Sequence, residues 1–183
     1  MKDFFIKYRP FLRFLGVFLL SYLVLIGVYQ LYLGQYDAAR FEVDGVSNFV
    51  AEQSETVLEA FGYEVTLVPH PYEASVKVQI NSDTIVRIVE GCNAVSVMIL
   101  FVAFVLAFSK GFYKTFAFIT TGLLIIHILN ILRIALLTVG ILKYPEYTHI
   151  LHGVIFPLVI YGVVFLLWIF WVTKITENVS KNP

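Results

Sequence analysis

Four long apolar runs constrain this chain of 183 residues more than any other feature. A helix needs about 20 apolar residues to cross the hydrocarbon core of a bilayer. The runs lie at about 11–33, 89–108, 115–136 and 152–173, and each predicts a transmembrane helix. Only 14% of the residues are charged, whereas a soluble domain usually has about a quarter. The sequence therefore predicts an all-α membrane protein that forms a single polytopic domain over residues 1–183.

Basic residues between these runs predict the orientation of the chain. They precede the first run, separate the second from the third, and follow the fourth: Lys2, Lys7, Arg9, Arg13, Lys110, Lys114, Lys174 and Lys181. Short basic loops stay in the cytoplasm, and four spans place all three groups on one side. We expect cytoplasmic N- and C-termini. The first run is too long for a signal peptide, so it predicts a retained anchor.

The connection at about 34–88 is then external, and its pattern predicts a small α/β segment. Apolar residues recur at helical spacing over 47–61. The stretches 63–68, 75–80 and 84–89 are rich in apolar residues and are separated by turn residues, which predicts strands. The formal net charge is zero, so no electrostatic argument favours nucleic acid as a partner.

Polar side chains inside the third run are candidates for function, because ionisable groups inside a span are costly. His127, Asn130 and Arg133 follow one another at intervals of three residues, which places them on one helix face. If the helix enters the membrane near Thr115, Arg133 lies about 27 Å along it. The hydrocarbon core is about 30 Å thick, so we expect Arg133 near the external boundary.

Two other connections deliver reactive groups to the same depth. Cys92 stands at the external start of the second run, and His149 and His152 stand at the external entry of the last. The spans and the positive-inside assignment alone lead to this result. We therefore predict that a thiol, the Arg133 guanidinium and an imidazole meet on the external side.

These groups suit nucleophilic catalysis. A cysteine attacks a carbonyl as a thiolate, and a helix N-terminus and a nearby histidine would both favour that form of Cys92. Arg133 would donate to the oxyanion of the tetrahedral intermediate. Asn130, one turn away, would orient a side chain or bind substrate. Glu90 would shape the surroundings of the thiol or cap the helix, and Gly91 would let a substrate backbone approach closely.

Three short motifs, on three consecutive spans, carry a resemblance to a known family. They are Glu90-Gly91-Cys92-Asn93-Ala94, Asn130-Ile-Leu-Arg133 and His149-Ile-Leu-His152-Gly153. In this order they resemble the exosortase/archaeosortase family, and the short chain resembles its exosortase F type. The residues after the cysteine depart from the usual Ser-Gly of the family.

The resemblance implies a membrane cysteine protease or transpeptidase of the bacterial inner membrane. Its expected partners are membrane-anchored proteins ending in a motif, a transmembrane helix and a basic tail, and a lipid or envelope acceptor that receives the cleaved carboxyl end. The family's catalytic constellation falls on Cys92, Arg133 and, by its four-residue spacing to Gly153, His149. His152 competes with His149 for the role of base. No cofactor and no metal are expected.

Two other functions remain open on the sequence. Cys92, His149 and His152 could ligate a metal, although Arg133 at the same depth would repel a cation. Alternatively, His127, Asn130 and Arg133 could line a polar path in a non-enzymatic transport or assembly subunit. The sequence also leaves open the path of residues 134–148.

Overall fold

The computed structural model describes residues 2–109 and 111–180, and the helices dominate it. Three helical segments are long and apolar enough to cross a membrane: Tyr8–Leu33, Phe112–Lys143 and Pro145–Lys174. The first is most of helix α1 (Lys2–Leu33), and the second is helix α4 (Phe112–Lys143). Three of the four predicted spans therefore have helices of the required length and composition.

Helix α3 (Val95–Ala107), at the second predicted span, is shorter than expected. Its 13 residues give about 20 Å of helix, against about 30 Å of hydrocarbon core. The prediction that helix begins near residue 89 was wrong. Val89 is still paired to Ser75 in a sheet, and Ala94 has a left-handed φ of 62°, so regular helix starts only at Val95.

Helix α4 continues past residue 136, where the predicted span ends, and runs unbroken to Lys143. Its 32 residues measure about 48 Å, well beyond the thickness of a hydrocarbon core. Val139 of the extra length packs against the core that Ile134 and Ala135 of α4 form with Val50 and Ile88 of the α/β segment. Burial of this apolar face explains why the helix does not break near Gly140.

The α/β segment agrees with the pattern that predicted it. Helix α2 (Gly45–Ala60) begins at Asp44, whose side chain accepts a hydrogen bond from the Ser47 amide. Strands β1 (Val65–Pro69), β2 (Ser75–Ile80) and β3 (Asp83–Val89) form an antiparallel sheet in the order β1-β2-β3. The central strand β2 is the most buried, and α2 covers the sheet through Val50 and Leu58.

The last helical segment contains a local change of pitch. A 3₁₀ turn (Pro145–Tyr147) and the one-turn helix α5 (Thr148–Ile150) lead into a π-helical turn (Leu151–Ile155), after which helix α6 (Phe156–Ser180) continues. The predicted span 152–173 thus starts inside the π turn. Such turns are rare and frequently lie at functional sites.

Aromatic side chains hold α1, α3, α4 and α6 together. Phe104 of α3 stacks on Trp168 at 4.3 Å, and Phe118 of α4 stacks on Trp171 at 4.5 Å. Phe101 is fully buried and lies directly against Gly122, where an added Cβ would overlap the ring. The bundle fixes α3 against α4, and this contact constrains the position of Cys92, which precedes α3, relative to Arg133 of α4.

Candidate active site

Cys92 lies in a 3₁₀ turn (Glu90–Cys92) that joins β3 to α3. It was expected at a helix N-terminus, but α3 starts three residues later and a left-handed residue, Ala94, intervenes. The influence of a helix dipole falls off within the first turn, so the dipole is a weaker source of activation than the sequence implied. The thiol is half-buried and packs at the margin of the core between α4 and the sheet.

Asn130 connects Cys92 to Arg133. Its side-chain amide donates to the Cys92 carbonyl oxygen over 2.7 Å, and its own oxygen accepts a hydrogen bond of 3.4 Å from an Arg133 guanidinium nitrogen. Asn130 is completely buried. A buried amide whose donor and acceptor are both used holds its neighbours in a defined arrangement. The backbone of the cysteine and the guanidinium are therefore fixed relative to each other.

The Arg133 guanidinium is half-buried and not fully satisfied. Its Nε atom is buried and has no hydrogen-bond partner among residues 2–109 and 111–180. A buried donor without a partner is costly, and the cost is recovered when an acceptor binds. Arg133 also lines a cavity, and together with this unpaired donor that position distinguishes it from an arginine that merely extends into water.

A cavity of about 300 Å³ brings the predicted residues together. Cys92, Arg133 and His152 all contribute to its wall. The remaining wall comes from the sheet, from α4 and from the start of the last helical segment: Glu73, Ile85, Val86, Arg87, Ile88, Val89, Ile134, Leu137, Ile141 and Thr148. The sequence placed a thiol, a guanidinium and an imidazole at one depth, and the structure places all three types of group around one cavity.

Of the two histidines, His152 lines the cavity and His149 does not. Thr148 also lines it, and residues four apart in a helix share a face, so Thr148 and His152 point the same way while His149 is rotated aside. Both histidines are exposed, and neither imidazole has a hydrogen-bond partner in the described part of the chain. The assignment of His149 as base stays a prediction, and the geometry favours His152.

Glu90 belongs to a buried network that the sequence did not reveal. The Tyr29 hydroxyl of α1 donates to the Glu90 carboxylate over 2.7 Å and accepts from the Asn93 amide over 3.0 Å. The Asn93 amide also lies 3.3 Å from the Ser47 hydroxyl, and the Asn93 oxygen accepts from the Val95 amide over 2.9 Å. The network ties the 3₁₀ turn that contains Cys92 (Glu90–Cys92, the cysteine turn) to α1 and α2. The sequence had not indicated that these two helices contribute to the site.

His127 has a packing role. Its Nε2 atom lies 2.7 Å from the Gln53 side-chain oxygen, and its ring stacks on Phe49 with centroids 6.0 Å apart. Since Asn130 is fully buried against Cys92 and His127 pairs with α2, these residues do not line one polar path. Within residues 2–109 and 111–180, no three His, Cys, Asp or Glu side chains cluster so as to hold a metal ion.

Comparison with known proteins adds the family. The family model described as transmembrane exosortase (Exosortase_EpsH) matches residues 10–172, which is most of the chain. The chain belongs to the transmembrane exosortase family. No curated protein and no solved structure gives a match. Membership indicates a membrane protein of the sortase-like transpeptidase type. The match begins at Pro10, so it includes α1 with Tyr29 as well as the three later helices.

Proposed function

We propose that the chain is a membrane-embedded cysteine transpeptidase that cleaves the C-terminal sorting signals of exported proteins and transfers them to an envelope acceptor. The observation that carries the proposal is the cavity shared by Cys92, Arg133 and His152, in which Asn130 links the first two. Family membership supports the same reaction class.

The reaction begins at the thiol. His152 accepts the proton of Cys92, and the sulfur attacks the scissile carbonyl carbon to form a tetrahedral intermediate. Arg133, whose Nε is unpaired among the described residues, donates to the oxyanion. The carbon–nitrogen bond then breaks, the imidazolium returns its proton to the leaving amine, and a thioester remains on Cys92. An N–H or O–H group of the acceptor attacks the thioester, and its proton passes to His152 and then to the departing thiolate.

His152 rather than His149 takes the role of base in this proposal, because only His152 lines the cavity. The family resemblance favoured His149 through its four-residue spacing to Gly153. His152 instead lies four residues after Thr148 and shares with it the face that lines the cavity. His149, exposed on the neighbouring face, then has no part in proton transfer.

The proposed topology keeps four membrane crossings in the bacterial inner membrane, with both termini cytoplasmic and the site on the external face. The three groups of basic residues support this orientation. Helix α3 supplies about 20 Å of the second crossing, and the turn with Cys92 continues from it to the depth of Asn130, which lies about 27 Å along α4 from Phe112. A core of about 30 Å then puts the half-buried thiol near the outer boundary, where partial shielding of the thioester from water favours transfer to an acceptor over hydrolysis.

The substrates in this proposal are membrane-anchored proteins that end in a short motif, a transmembrane helix and a basic tail, and the acceptor is a lipid or another envelope component. The helix and tail would place the motif of the substrate at the depth of the cavity. The cavity itself holds only a few residues, since its volume is about 300 Å³.

The proposal is tested with the full chain in liposomes and a set of fluorescent peptides. Each peptide carries a varied extended segment, an apolar helix of about 20 residues and a Lys/Arg tail. We expect cleavage by the wild-type chain, no cleavage by Cys92→Ala, and wild-type cleavage by the control Ser96→Ala, whose hydroxyl is exposed at the start of α3. Equal activity of Cys92→Ala and the wild type, or no cleavage of any peptide, would reject the proposed function.

A further inference from the structure

Strand β3 has a free edge in the described part of the chain. The sheet order is β1-β2-β3, so β3 pairs with β2 on one side and with no strand on the other. An edge strand presents unpaired N–H and C=O groups that can pair with another extended chain. β3 also leads directly into the cysteine turn, which begins at Glu90.

The free edge of β3 forms part of the cavity wall. Five consecutive residues, Ile85 to Val89, line the cavity. Side chains alternate between the two faces of a strand, so a cavity on one face would touch every second residue only. Contact with an unbroken run of residues means that the cavity borders the edge of the strand, where backbone groups are exposed. Helix α4 forms the opposite side through Arg133, Leu137 and Ile141.

A β-bulge limits the part of the edge that is regular. The register with β2 shifts between Val78 and Gln79, so Ile85 has no partner, while pairing from Val86 to Val89 is continuous. A bulge bends the strand, so the part of β3 before Ile85 turns away from the line of Val86–Val89. The regular edge therefore covers four residues, about 10 Å of strand, and ends three residues before Cys92.

The side chains around this edge indicate what could bind there. Most of the wall is apolar, and Arg87 and Glu73 form an ion pair of 2.6 Å, half-exposed, within the same wall. A short peptide segment suits this edge, because its backbone can pair with the strand and its side chains can contact the apolar wall. Addition of a peptide strand to a sheet edge is a general mode of recognition in which backbone hydrogen bonds give affinity and alternate side chains give specificity.

We propose that the substrate segment next to the scissile bond binds in an extended conformation as a fourth strand on the edge of β3 at Val86–Val89. This inference rests on the proposed function and adds how the substrate is recognised. The added strand would lie about 4.8 Å from β3, between it and α4, and would deliver its scissile carbonyl to Cys92 and Arg133. Recognition would then depend on the substrate backbone as much as on the sequence of its motif.

The test uses the peptide that the wild-type chain in liposomes cleaves fastest. Each amide of the extended segment is replaced in turn by an N-methyl amide, and separately by an ester, which removes the donor without adding a methyl group. In a strand, every second residue directs both its N–H and its C=O group to the same neighbouring strand, and the residues between direct theirs to the other side. We expect cleavage to fall about tenfold at every second position and to stay unchanged between them, since a tenfold loss corresponds to about 1.4 kcal/mol, within the range for one hydrogen bond.

The outcomes separate the two proposals. A loss with a period of two, produced by both replacements, supports strand addition. Unchanged cleavage at all positions, or a loss at every position, overturns strand addition and leaves the proposed function intact. If a second copy of the chain covers the edge, no period of two appears, which also overturns it. If the unmodified peptide is not cleaved, the proposed function fails and strand addition fails with it.

Discussion

The two sides of the cavity differ in how firmly they are held. On the cysteine side, hydrogen bonds hold the backbone: Asn130 donates to the Cys92 carbonyl oxygen, and Tyr29 and Asn93 hold the turn before α3. On the histidine side, His149 and His152 are exposed, and their imidazoles have no hydrogen bonds among the described residues. The proposed nucleophile, Cys92, is anchored by the fold, while the proposed base, His152, lies in a π turn near the start of the last helical segment.

This difference indicates how catalysis and stability are divided. Substitutions on the cysteine side remove buried hydrogen bonds, so they should lower both stability and activity. Substitutions on the histidine side touch little of the fold, so they should lower activity alone. We expect the His152 imidazole to reach its working position only when substrate fills the cavity, since catalytic hydrogen bonds often form only in the complex.

The largest expected effect is on the histidine side. His152→Gln should lower the rate of peptide cleavage by about 10²–10⁴-fold, because it removes the general base. The melting temperature should not change, since the side chain is exposed. His149→Gln is the matched control and should keep nearly full activity. A larger loss at His149 than at His152 would restore the assignment made from the sequence.

Removal of the guanidinium comes next. Arg133→Gln should lower kcat by about 10²–10³-fold, the usual loss when one oxyanion donor is removed. The control is Arg40→Gln, which removes a positive charge outside the cavity wall and breaks an exposed ion pair with Asp37, so it should have a small effect. Equal losses in the two variants, measured as initial rates of cleavage, would show that Arg133 acts only through the net charge of the chain.

A substitution of Asn130 tests whether the hydrogen bonds on the cysteine side position Cys92 and Arg133 for cleavage. Asn130→Ala leaves the Cys92 carbonyl without its donor, so we expect about 1–3 kcal/mol less stability and a tenfold or greater loss of cleavage. Thr138→Ala is the matched control on the same helix. That side chain is equally buried but bonds only to the Ile134 carbonyl of its own helix. Thermal unfolding and initial rates together give the comparison, and a loss of stability with unchanged activity would contradict a positioning role.

The smallest effect is expected at Tyr29. Tyr29→Phe removes a hydroxyl that donates to Glu90 and accepts from Asn93, which should cost about 1–3 kcal/mol of stability and lower activity severalfold. Tyr22→Phe on the same helix is the control, since the Tyr22 hydroxyl has no hydrogen bond in the described part of the chain. If both variants behave like the wild type, α1 has no influence on the cysteine turn.

Local pattern predicted much of this structure. Apolar runs identified α1, α4 and the last helix, and alternation gave β2 with its bounds of Ser75–Ile80. The cost of placing polar groups inside a span singled out Asn130 and Arg133, and the depth count brought Cys92 to their level; the structure joins all three. These are properties of single elements, and such properties are visible in a sequence.

The errors have one physical cause. Helix α3 starts late because Val89 pairs with Ser75, and α4 runs long because Val139 packs on the core that α4 shares with the sheet. Tyr29 meets Glu90 across 61 positions of the chain. All three are set by contacts between distant segments.

The most direct test of the central arrangement uses the fact that the chain has a single cysteine. Membrane-impermeant methanethiosulfonate reagents of negative and positive charge are added to intact spheroplasts, and the rate of Cys92 labelling is measured for each. We predict labelling from outside, faster with the negative reagent, and a fall of about tenfold in the ratio of the two rates in Arg133→Gln, which corresponds to about 1.4 kcal/mol. No labelling from outside, or a ratio unaffected by Arg133→Gln, would contradict a thiol and a guanidinium that share an externally open cavity.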